Sequence, residues 1–113
     1  MRRIQGELVL PADAAPAVAE RVVVELRDVS WMDRPSRLLA AASLQGVAIG
    51  PGVRLPFSLE APQGQAGDSL SLRAQVDLRG SARGAGCDYL TTASQPVAPT
   101  GDVQGQVVRL DRP

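Results

Sequence analysis

The sequence has no histidine, no lysine and no asparagine, one cysteine, and three aromatic residues: Trp31, Phe57 and Tyr89. Each shortage excludes something. Without histidine the chain lacks the commonest general base, metal ligand and pH switch. One cysteine, Cys87, allows no disulfide within the chain, and no His or Lys is available to activate it as a nucleophile. Cys87 therefore reads as a small buried hydrophobe. With aromatics at 3%, the core has to be built from Val, Leu, Ile and Ala. Charge of one sign is missing too: 12 basic and 12 acidic residues cancel, and the arginines are scattered. A nucleic-acid partner needs a basic excess on one face, so that class is set aside. No apolar run is long enough to span a bilayer. The stretch Ile4 to Leu10 contains Gln5, Gly6 and Glu7, which makes a poor signal-peptide core, although a chain whose signal had been removed would look the same. Nothing suggests a cofactor or an enzyme.

What is present is a set of short apolar runs separated by Gly and Pro. The 113 residues suit one domain, with a core from about residue 3 to 110. Hydrophobic residues at 44% are enough for a packed interior. Arg3 to Leu10 alternates with Ile4, Gly6, Leu8 and Leu10 on one face. In Glu20 to Arg27, Val22, Val24 and Leu26 point inward. Leu38 to Val47 has fair helix propensity, but its length and the following Gly46 and Gly50 favour a strand with Leu38, Ala40, Ala42 and Leu44 inward. Val53 to Glu60 buries Val53, Leu55, Phe57 and Leu59. Pro56 inside it places that strand at an edge or a bulge. Ser69 to Arg79 alternates through Leu70, Leu72, Ala74, Val76 and Leu78. Gly80 to Gly86 reads as a hairpin loop, Cys87 to Thr92 as a short strand, Gln95 to Asp102 as a Pro-rich connector, and Val103 to Leu110 as the last strand. About seven strands in one antiparallel, Ig-like or Greek-key β-sandwich is the expected fold.

Four segments stand out, in order: Asp28-Val29-Ser30-Trp31-Met32-Asp33-Arg34-Pro35, Leu55-Pro56-Phe57-Ser58-Leu59, Leu70 through Val76, and Asp88-Tyr89-Leu90-Thr91-Thr92 with Pro96-Val97. Together they resemble the YbaY/YscW family of bacterial lipoproteins and secretion pilotins. The chain departs from the pattern in lacking the family's signal and lipid-bearing cysteine, in carrying Leu70 where an aromatic is usual, and in the polar loop before Asp88. The resemblance implies a β-sandwich and a periplasmic or outer-membrane-associated protein that binds a protein partner, as pilotins do in assisting secretin assembly. A cytoplasmic chain is the alternative location.

The candidate sites are few. Asp28, Ser30 and Asp33 have oxygen ligands but not the spacing of a calcium loop, so they read as turn-holding side chains. Trp31, with Met32 and Arg34, forms either a plug at one end of the core, the favoured reading, or an exposed binding hot spot. Tyr89 reads as a strand residue with its hydroxyl at the surface. Ala41 is expected to point outward, beside an Ala-rich relief where a partner could dock. Trp31, Met32, Arg34 and Ala41 are the partner-binding candidates. A carbohydrate-binding module is the alternative function, poorly supported by so few rings.

Overall fold

The computed structural model describes residues 1–31, 33–79 and 88–113. Among the described residues nine strands run β1 Arg2–Val9, β2 Ala17–Asp28, β3 Arg37–Leu44, β4 Val47–Ile49, β5 Arg54–Ala61, β6 Leu70–Leu78, β7 Tyr89–Leu90, β8 Pro96–Val97 and β9 Val103–Arg109. They form two sheets. One has the order β5-β1-β9. The other has the order β3-β2-β6-β7, with β4 also on β2 and β8 on β6. The fold is an all-β sandwich, as the spacing of apolar runs predicts. The run Leu38 to Val47 divides at Gly46, whose φ of 62° suits glycine, into the edge strands β3 and β4. The Pro-rich connector contains the two-residue β8. The hairpin loop and Cys87 lie outside the described residues.

One pairing is not antiparallel. β1 and β9 run parallel, with a register shift between Ile4 and Gly6. Gly105, at φ 73°, sits at this irregularity on β9. A Cβ on Gly6 would collide with the main chain of Gln106, so only glycine lets β9 approach here.

Between the sheets the core joins Ile4, Leu8 and Leu10 of the first segment to Val22, Val24 and Leu26 of β2, Leu55, Phe57 and Leu59 of β5, and Leu70, Leu72, Ala74 and Val76 of β6. In β5 exposed and buried residues alternate through all eight positions. A one-residue slip would bring every one of these apolar side chains to water, so burial fixes the register.

The β1–β5 ladder explains Pro56. Leu10 N–H donates to Val53 O at 2.9 Å. Even-numbered β1 residues therefore bond β5, and Glu7 faces Pro56 across a pair without hydrogen bonds. The missing N–H of Pro56 points out from a sheet edge, where no ladder partner is lost. The sequence expectation of an edge strand holds.

In β3 two inward assignments fail. Leu26 pairs with Ala40 and Arg27 with Leu38, so Leu39 is an inserted bulge residue. The bulge turns Leu39 toward the core, while Leu38 is 49% exposed. Leu44, at the far end of this edge strand, is 39% exposed. Ala40 and Ala42 do pack against the core, as their spacing predicts.

Arg2 is in phase with Ile4 and Leu8, and it too is buried, at 1% exposure. Its Nη1 donates to Ala98 O at 2.6 Å and Gly101 O at 3.1 Å, and its Nε to Pro62 O at 3.3 Å. Its Nη2 is buried with no partner among the described residues. Burial pulls the guanidinium's pKa below its ordinary value, and Asp102 opposes that shift. One side chain thus ties β1 to the loops after β5 and β8.

Candidate partner-binding surface

The corner between β2 and β3 is built on Asp28 and Ser30. Asp28 Oδ1 accepts the Ser30 N–H at 2.9 Å and its hydroxyl at 2.6 Å. Ser30 Oγ in turn accepts the Ser69 N–H at 2.9 Å, and Val29 N–H donates to Ser69 O at 2.8 Å. The corner is thereby anchored to the start of β6. The hydroxyl and amide of Ser30, with help from Arg37, hold the Asp28 carboxyl below its ordinary value of 3.8. These are the bonds of a turn. Among the described residues no cluster of three or more His, Cys, Asp or Glu could hold a metal.

Trp31 is not a plug. It is 63% exposed. Partly buried Leu39, rather than Trp31, packs on the core that includes Leu26, Leu70 and Leu72. The Arg34 guanidinium carbon lies 5.5 Å from the centre of the Trp31 ring, within cation–π range. The Arg34 N–H also reaches Trp31 O at 3.4 Å, which closes the loop on itself. Beside the ring a cleft of about 270 Å³ is lined by Asp28, Trp31, Arg34, Pro35 and Arg37. Val29 and Leu38 are further exposed apolar side chains on the segments flanking this loop.

The other candidates are placed unevenly. Ala41 is exposed on β3, as its outward assignment requires, and pairs with Glu25. It stands four residues past Arg37, roughly 13 Å at strand rise, so it does not line the Trp31 cleft. Met32 lies outside the described residues. Phe57 and Tyr89 are both buried, so neither adds an aromatic platform, and Tyr89 is the strand residue expected. Tyr89 pairs with Val76 on the inward phase of β6, which carries its ring into the core.

No protein-family model matches the chain, and no curated protein matches it. Among solved structures, an alternative pilotin from the type II secretion system of Vibrio cholerae superposes with a TM-score of 0.73. The match covers 99% of this chain and 98% of that one, at 21% sequence identity. The chain has a pilotin-like fold. At that identity the likeness concerns architecture, and it spans both sheets from end to end. Among the described residues no helix is long and apolar enough to cross a membrane.

Proposed function

We propose that the chain is a non-catalytic envelope protein that binds a component of a secretion system, in the manner of a pilotin. The observation that carries this reading is the superposition over nearly the whole of both chains. The four ordered segments that resemble YbaY/YscW lipoproteins support the same reading independently. On it, the chain is one sandwich domain held at the periplasmic side of the envelope. Trp31 and Arg34 form the principal contact, and Met32 and Ala41 extend it. Trp and Arg are both enriched at the energetic centres of protein interfaces. Binding would bury a ring that the fold leaves in water, which supplies apolar contact area at little cost in side-chain entropy.

A carbohydrate reading fits less well. Trp31 is the only aromatic with large exposure, and the Arg34 guanidinium already lies over one face of its ring.

The test is affinity capture from envelope extract with wild type and with Trp31→Ala, followed by mass spectrometry. A secretion-system protein should be recovered by the wild type and depleted with the variant. Recovery of no secretion component, or equal recovery by both proteins, would reject the assignment of partner or of surface respectively.

A further inference from the structure

The sandwich has an open edge along β9. Leu110 N–H donates to Val9 O at 2.9 Å. In a parallel ladder alternate residues of a strand bond the same neighbour, so Gln106 and Val108 face β1 as Leu110 does. The N–H and C=O groups of Val107 and Arg109 must point the other way. Just beyond them Asp111 does find partners on that side: it exchanges both main-chain bonds with Leu90, at 2.9 Å each. The pairing then stops. Residues 91–95 swing away toward β6, where Gln95 O accepts the Leu72 N–H, and among the described residues nothing bonds the main chain of Val107 or Arg109 on this edge. A cleft of about 300 Å³ opens between the two segments, with Thr91, Ala93 and Gln95 on one wall and Val107 and Arg109 on the other.

The chemistry of this edge specifies its occupant. Unpaired main-chain groups on one strand demand another extended backbone, not a helix. On the outer face Val107 is 38% exposed, and Arg109 is exposed with no carboxylate within ion-pair distance among the described residues. A strand laid here would alternate. One set of side chains would stand beside Val107 and Arg109, where an acidic residue meets the lone cation. The other set would enter the cleft against Ala93 and Thr91, where small aliphatic groups fit.

The geometry points to β9 as a docking edge for an extended segment of a protein partner, with acidic residues alternating with aliphatic ones. This deepens, and rests on, the reading of the chain as a protein-binding module. It adds a second surface that works by strand addition rather than by burial of Trp31.

A capped peptide alternating Val and Glu over six residues is the probe, titrated into the labelled full chain and followed by amide chemical shifts. Shifts should centre on Gly105 to Arg109. N-methylation of the peptide's edge-facing amides should abolish them. Val107→Pro removes an N–H that the fold does not use, and should weaken binding by at least about tenfold. Arg109→Glu leaves the ladder intact; it should weaken the Val/Glu peptide and favour a Val/Arg one. The proposal is overturned if no saturable shifts occur, if they centre on another strand, or if the N-methylated peptide binds equally well. It is also overturned if sedimentation shows that this edge is occupied by a second copy, in a dimer abolished by Val107→Pro. Capture of a secretion component together with failure of the peptide would sink the edge alone; loss of that capture would sink the functional reading.

Discussion

Arg2 offers the sharpest energetic test of how the sandwich is held. Its guanidinium is buried and donates to three carbonyls, those of Pro62, Ala98 and Gly101, drawn from two loops about forty residues apart. Replacing it with Met keeps most of the apolar stem and removes the donors. Each orphaned carbonyl costs about 1–3 kcal/mol if it stays buried, less where the loop relaxes to reach water. Against this stands the desolvation of a buried cation, which the variant avoids and which amounts to several kcal/mol. An isolated buried charge can be replaced by a hydrophobe at no loss, but here three acceptors stay behind. We expect Arg2→Met to lose about 2–4 kcal/mol, and Arg2→Lys less, because an ammonium still reaches one or two of the carbonyls. Urea unfolding of both variants measures this as a lower midpoint at unchanged slope. A loss below about 0.5 kcal/mol for Arg2→Met would show that the loops close without the clamp, and would refute the reasoning.

Gly6→Ala should destabilise by about 3 kcal/mol, because its Cβ meets the Gln106 main chain and forces β9 off β1; thermal unfolding reads it directly, and an unchanged melting temperature would contradict the close approach. Trp31→Ala should change stability by less than about 1 kcal/mol, since an exposed ring leaves no cavity. The single Trp should also be quenched by acrylamide almost as efficiently as free tryptophan, and strong protection would restore the plug. Asp28 has a depressed pKa in the folded state, so its contribution is present above the unfolded value and is lost as pH falls through the folded one, below about 3.8. Asp28→Asn should flatten this acid limb of the stability curve, and an identical limb in both proteins would remove the Ser30 bonds as its cause.

Much of the fold was legible because alternation and burial share one cause. β5 reads in sequence as it packs, and Pro56 announces its own edge. The Asp28–Ser30 corner was legible for a related reason: short polar side chains satisfy nearby amides, and the resemblance to a family corner agrees with it. Three things were not legible. The Leu39 bulge depends on how β3 meets β2, and no local pattern encodes it. The parallel β1–β9 pairing joins opposite ends of the chain, where periodicity carries no information about partners. The exposure of Trp31 is the third, because large apolar residues are usually covered and nothing local marks this one as an exception. Arg2 was recoverable, since it keeps the inward phase of Ile4 and Leu8, but a charged residue at a strand start is ordinarily assigned to solvent.

The most direct test of a pilotin-like role is the abundance of assembled secretin multimers in the outer membrane of cells lacking the chain. The account predicts that multimers fall while secretin monomer persists, and that wild type restores them but Trp31→Ala does not. Unchanged multimer levels in the absence of the chain, in cells whose secretion system is expressed, would contradict it.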